Sequence, residues 1–444
     1  MGIWGAASAN MLNMIGVGPF ITISLVLAAM GGSQAMLAWL VGGLISLCDG
    51  MVWAELGAAM PDSGGPYHYL LEAFGPKRWG RLLSFLFLWQ AVAIGPITIA
   101  SGAVGFAEYT TYLVPSLSGW EKTALAVGLC LLNTVIVYRD IKSISTLSVT
   151  LWVVVMGTAA WILFGGVTHF NPALAFHVAP HAFHPSMAFV AGLGAATLIT
   201  TYDFSGYFNV CLIGEEVREP ARTIPRAILL SIIVIGCLYV LMNISIIGVI
   251  PMDEAMKSKA VVAQYVERIY GAMAGKAVTL LILWAAYGSI FAVLLGYSRI
   301  PYSAAIDGRF FKPFARLHPT KHFPSFSVAV MGLGSAAASV LSLADLISYM
   351  IVFQIMLQFI AQCLAVFLLR RNRPDIPRPF NMPLYPLPVI IALCGWCYIL
   401  IASGGKYIVS GFALAIVGTL AYLLKARRDG SWPFEEGGQR SPAV

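Results

Sequence analysis

Charged residues are scarce in this sequence. Asp, Glu, Lys and Arg make up 11% of its 444 residues, against roughly 25% in soluble domains. With 59% apolar residues and a mean hydropathy of +0.81, an ordinary soluble domain is excluded. Cysteines number seven and lie almost entirely in apolar runs, where a thiol acts as a small apolar side chain. They give no disulfide framework, and the CxxC of Cys394 and Cys397 sits inside such a run rather than in a redox or zinc context. A nucleotide-binding glycine loop, a nucleophile elbow and a His/Cys/Asp cluster are also lacking. No enzymatic activity, cofactor or metal is therefore expected. His169, His177, His181 and His184 do gather in the stretch 168–185. Pro172, Pro180 and Pro185 argue against the helix that would align their rings, so an exposed loop is expected.

What the chain has in quantity is long apolar runs, about 20 residues each, the length that spans a bilayer. Twelve spans are expected, at 6–30, 34–59, 82–113, 121–138, 145–167, 187–214, 225–250, 272–302, 325–343, 345–370, 383–403 and 406–425. The runs are apolar on all faces, which favours helices over the short alternating segments of a barrel. The expected fold class is all-α integral membrane, with a polar tail after Lys425. The first run ends in small Ala28, Ala29 and Gly31 like a signal sequence. It lacks a basic leader, and Gly-Pro interrupts its centre, so it is expected to be retained. With the N-terminus in the cytoplasm, the cytoplasmic loops and tail hold 21 Lys and Arg and the opposite side 6. That asymmetry places both termini in the cytoplasm. It also accounts for the net charge of +7 and a pI near 9.0 without a nucleic-acid partner. The lipid bilayer is the expected surrounding.

Two of the spans contain residues ill suited to a continuous helix. Residues 13–23 read NMIGVGPFITI, and residues 200–210 read TTYDFSGYFNV. The spans that hold them start five spans apart, the spacing of an inverted repeat of five plus five spans. Unwound backbone is tolerated at membrane depth only where protein buries it or where it lines a watery cavity. Broken helices at corresponding positions of two halves point to a midplane binding site. A half-helix starting near Pro19 presents free N–H groups and a positive dipole end to a carboxylate. Gly16 and Gly18 permit close approach, and the carbonyls from Tyr202 to Gly206 suit an ammonium group. A simple kinked helix is the plainer alternative for either break taken alone.

The stretches AELGAAMPDSGGPYHYLLEAFG (54–75) and GEEVREPARTIPRA (214–227) resemble the amino acid–polyamine–organocation transporters. Gly16-Val17-Gly18-Pro19-Phe20 is similar to the break in that family's first span, and Ser298-Arg299 with Asp307-Gly308 to the motif closing its eighth. The resemblance covers nearly the whole chain. It implies the leucine-transporter-type fold: a ten-span inverted-repeat core (1–370), two additional spans (371–426) and a cytoplasmic tail (427–444). It implies alternating access for an amino acid or amine across the cytoplasmic membrane, with a proton or sodium as possible coupling ion. The resemblance implies that the backbone around Val17 and Gly18 holds the carboxylate and the carbonyls near Tyr202 and Ser205 the amine; the breaks themselves add Ile15, Gly16, Asp203 and Gly206 to the candidate substrate-binding residues. Tyr202 falls where the family places an aromatic lid. Val17 stands where a Ser is usual, and Pro19 lacks an N–H. Both weaken the case for a carboxylate and leave a polyamine or cationic amino acid carrier as an alternative. A non-transporting receptor or partner subunit is the reading from another class.

Ionisable residues inside spans are functional candidates by default. Asp203 is expected to contact a cationic group or coupling proton, or to cap its half-helix. Asp49 fits a proton-linked role or a polar contact between spans. Glu55 belongs to the AEL motif. Glu215, Glu216 and Arg218 fit an ionic gate or a surface ion pair. Trp89, Gln90, the Gly95-Pro96 kink, Tyr287, Ser289 and Phe291 are candidates to face the cavity. Gln354, Gln358 and Gln362 recur every four residues, as interhelical hydrogen-bonding groups or as part of a pathway. No Lys or Arg occurs between Thr146 and Val167, where some family members carry a Lys in place of sodium.

Overall fold

The computed structural model describes residues 1–16, 18–61, 65–139, 144–176, 182–319 and 323–433, with the backbone alone for 139 and 144–152. The described residues form helices and no strand. The first span is broken into α1 (Ile3–Met14), α2 (Gly18–Ile21) and α3 (Ile23–Met30). There follow α4 (Met36–Ala59), α5 (Pro66–Phe74), α6 (Trp79–Leu113), α7 (Gly119–Arg139), α8 (Ile144–His169) and the single turn α9 (Pro172–Ala175). The second break separates α10 (Met187–Phe204) from α11 (Asn209–Leu212). Beyond it lie α12 (Pro220–Ile247), α13 (Met252–Lys257), α14 (Val261–Tyr270), α15 (Ala272–Ile306), α16 (Ser325–Ala338) and α17 (Leu343–Gln354). A π-helical turn, Ile355–Phe359, joins α17 to α18 (Ile360–Asn372), and α19 (Leu387–Ser403) and α20 (Gly405–Arg428) complete the chain.

Among the described residues, eight helices are long and apolar enough to cross a bilayer, and nine if the bent N-terminal pair counts as one span. Shorter apolar helices run over Val153–His169, Ser325–Ala338 and Leu387–Ser403. Helix ends follow local chemistry. Ser186 Oγ accepts from Phe189 N–H and Ser342 Oγ from Asp345 N–H, capping α10 and α17. Pro66 and Pro220 open α5 and α12, where a missing N–H costs nothing. Pro96 does not break α6, which is continuous from Trp79 to Leu113.

Lipid tails are as apolar as Leu, so helices associate through close packing rather than through exclusion of water. Glycines on α4 serve this. A Cβ at Gly50 would meet Ile232 and Ile228 of α12, and one at Gly57 would meet Cys211. A Cβ at Gly42 would run into Thr200 of α10, and one at Gly43 would rest against Phe204. An aromatic file ties α4 to the second break and to α19: Trp53 stacks on Phe208 at 4.5 Å, and Phe359 on Trp396 at 4.4 Å. Each such pair contributes about 0.5–1.5 kcal/mol beyond area burial.

Candidate functional site

The two breaks touch each other. Gly206 has φ of +117°, and a Cβ there would lie 3.0 Å from the backbone carbon of Asn13. Only glycine suits both the backbone angle and the contact. Tyr239 of α12 clasps the pair: its hydroxyl lies 2.6 Å from the Met14 carbonyl and 3.2 Å from the Asp203 carbonyl. Asn10 of α1 accepts from Val210 N–H at 2.9 Å. The Thr22 hydroxyl donates to Asp203 Oδ2 at 2.6 Å and shares its proton with the Gly18 carbonyl at 3.0 Å. Tyr202 reaches Ser101 Oγ at 3.0 Å, and its ring lies 3.1 Å from the position a Gly18 Cβ would take.

Asp203 is 2% exposed, and its Oδ1 has no hydrogen-bond partner among the described residues. It points at Gly18: a Cβ there would collide with that oxygen. A buried carboxylate oxygen without a donor is costly unless something binds it. The expected free carbonyls are partly engaged. Tyr202 C=O accepts from Ser205 N–H at 3.1 Å, and Gly206 C=O from Asn209 N–H at 3.1 Å. Each keeps a second lone pair. Val17 lies outside the described residues.

A cavity of about 590 Å³ runs from the breaks to Pro66, Tyr67 and Asp307. Gly16, Gly18, Tyr202, Asp203, Ser205 and Gly206 all line it. So does one face of α15 bearing Ser289, Gly296 and Ser303. Ser289 Oγ sits 3.3 Å from where a Gly16 Cβ would be. Beyond the breaks the wall is tight: Ile290 packs on Gly102, Ile21 on Gly105, and Tyr109 donates to Phe20 C=O at 2.5 Å. The volume is ordinary for a small-molecule site. Among the described residues no group of His, Cys, Asp and Glu is arranged to hold a metal.

A sequence profile described as amino acid permease matches residues 1–422. The chain belongs to the amino acid permease family. It is 25% identical over 403 residues to a serine/threonine exchanger of Bacillus subtilis, covering 87% of each chain. It is 28% identical to large neutral amino acids transporter small subunit 2 of Mus musculus, over 94% of this chain and 78% of the relative. It is also 28% identical to the human cystine/glutamate transporter, over 93% and 82%. With its apolar helices, the chain is a multi-pass membrane protein of the amino acid–polyamine–organocation superfamily.

The remaining candidates disperse. Asp49 is fully buried away from the cavity. Tyr207 donates to its Oδ2 at 2.5 Å and Trp396 Nε1 to its Oδ1 at 3.0 Å, with Cys363 Sγ at 3.8 Å. Glu55 takes both Arg370 donors, at 2.7 and 2.6 Å, plus Met382 N–H at 3.1 Å. That joins α4 to α18 and the loop after it. Glu215 and Glu216 are exposed on a 3₁₀ turn after α11. Trp89 donates to Leu414 C=O at 3.1 Å and packs toward α20, whereas Gln90 lines the cavity. Tyr287 and Phe291 belong to the apolar cluster between α6, α7 and α16. His177 and His181 lie outside the described residues. In the loop after α18, Arg373 bridges Glu72 at 2.7 Å and Asp375 at 3.0 Å, holding the Asp375 carboxyl below the usual range.

Thr22, Ser101 and Tyr239 were not visible as site residues in the sequence. A Thr one turn after Gly18 is a faint signal. A lone Tyr in an apolar run is none.

Proposed function

We propose that this chain is a secondary active transporter that carries an amino acid across the cytoplasmic membrane by alternating access. The observation that carries the reading is the pair of breaks facing one cavity, with Asp203 Oδ1 buried and unpaired beside Gly18. In this reading, backbone N–H groups after Gly16 hold the substrate carboxylate, and Asp203 with the carbonyls of the second break holds its ammonium. Tyr202 covers the bound solute. The nine long and three shorter apolar helices fit twelve spans, ten of them (1–370) as the five-plus-five repeat and two (371–426) beyond it. The tight side beyond Tyr202 and the open side at Asp307 fit a state open to the cytoplasm, with both termini on that side. Membership of the amino acid permease family, and relatives named for amino acid exchange and transport, support the substrate class.

The unpaired Asp203 oxygen also favours a second reading, a cationic amino acid or polyamine as the solute. The deciding experiment is uptake of labelled amino acids and polyamines into proteoliposomes, in separate arms with a sodium gradient, a proton gradient and internal solute. Amino acid uptake that Gly18→Leu abolishes is the expected result. Competition by decarboxylated analogues with full potency favours the amine reading. No uptake in any arm leaves a non-transporting receptor, and full binding by a folded Gly18→Leu refutes the backbone site.

A further inference from the structure

We propose that Gln90, Gln354 and Gln358 form a second binding station in the cavity, between the breaks and its open end, for solutes whose side chain ends in a carboxamide or hydroxyl. The proposal rests on the transport reading and adds a selectivity element to it.

All three glutamines line the cavity and are 2%, 4% and 3% exposed. Gln90 comes from α6, Gln354 ends α17, and Gln358 lies in the π-helical turn that follows. Gln90 Nε2 donates to Gln358 Oε1 at 2.6 Å. Among the described residues, Gln90 Oε1, Gln358 Nε2 and Gln354 Oε1 have no partner. Buried polar atoms in folded proteins are almost always paired. Gln362, one turn on, also has unpaired amide atoms but does not line the cavity, so the position of Gln90, Gln354 and Gln358 in the cavity lining is what points to a ligand. The π-helical turn is a feature that recurs at functional sites.

The chemistry is uncharged and two-sided. A carboxamide or hydroxyl both donates and accepts, and so matches the mixed set of acceptors and donor. Reversing both amides of the bonded pair exchanges their free atoms and still leaves one donor and one acceptor unpaired. An aliphatic side chain leaves every one of these atoms unmatched, the situation in which a polar site rejects an apolar analogue.

Along α6 the station is set apart from the residue that holds Tyr202. Eight residues of α6 separate Gln90 from Thr98, and eleven separate it from Ser101, the residue bonded to Tyr202. At 1.5 Å per residue these are about 12 and 17 Å. A solute moving from Asp203 toward Asp307 passes the glutamines on its way. Without a full charge, they hold it weakly enough for it to leave, as a conduction pathway requires.

The test is uptake of glutamine, serine and leucine into proteoliposomes by wild type, Gln90→Met and Gln358→Met. The expected result is a glutamine-to-leucine and serine-to-leucine ratio about tenfold lower in each variant, the size of one lost hydrogen bond in a buried site. Gln358→Glu, which keeps the size and the acceptor for Gln90 but removes the donor, lowers the ratios in the same direction. Ratios that hold, whether or not total uptake changes, overturn the station. Wild-type liposomes that take up no amino acid overturn the transport reading and the station together.

Discussion

Asp203 is the residue on which the proposed site turns. One of its oxygens is tied to Thr22, and the other has no partner among the described residues. Asp203→Asn keeps the shape and removes the charge. A charge-assisted hydrogen bond contributes about 1.5–3 kcal/mol, so affinity for an ammonium-bearing substrate is expected to fall about tenfold or more. Calorimetric titration of the detergent-solubilised protein measures this, and an unchanged Kd removes the contact. Asp49 has a different character. Its carboxylate is surrounded by neutral donors from three other parts of the chain, and it does not line the cavity. Tyr207→Phe withdraws one of those donors, at about 1–3 kcal/mol. A lower melting temperature with substrate affinity retained is the expected pattern, and an unchanged melting temperature would show that the bond contributes nothing. The presence of these carboxylates in apolar runs was legible in the sequence. Their different roles were not, since the partners of Asp49 lie as far as 347 residues away in the chain.

At the scale of the element, the breaks were legible because glycine and proline are poor helix formers wherever they occur. Residues 13–23 and 200–210 do unwind, at Ile15–Gly16 and at Ser205–Phe208. How the breaks are held is a matter of tertiary contact: Tyr239 spans both, and Gly206 lies against Asn13. Gly206→Ala adds a Cβ where φ is positive and the neighbouring backbone is 3.0 Å away. Loss of the substrate-induced thermal shift is expected. A shift equal to that of wild type would mean that the breaks do not need this contact. The Gly95-Pro96 pair shows the limit of the same signal. There, α6 runs on without interruption, and the proline packs against Gly334 of α16.

For the molecule as a whole, the cavity has one open end, at Asp307, and one packed end, at Tyr109 and Phe20. Ser303 is exposed on the cavity face of α15. In a variant with the native cysteines replaced, Ser303→Cys is expected to react with a membrane-impermeant maleimide from the cytoplasmic side; labelling only from outside would invert the orientation. The Glu55–Arg370 pair fastens α4 to α18 with Glu55 3% exposed. Breaking a buried pair on one side costs about 3–5 kcal/mol, so Glu55→Gln is expected to lower the melting temperature with little change in substrate selectivity.

The sequence by itself determined that the chain is a helical membrane protein, because charge content and the length of apolar runs are properties of the linear chain. It also determined where two helices come apart, because backbone propensity is local. Tertiary structure decided which carboxylate faces the cavity and which is a buried joint, where Trp89 and Tyr287 pack, and that Gln90 meets Gln358. Those outcomes depend on which helix faces meet, and helices that are apolar all round carry no periodic signal of which face that is.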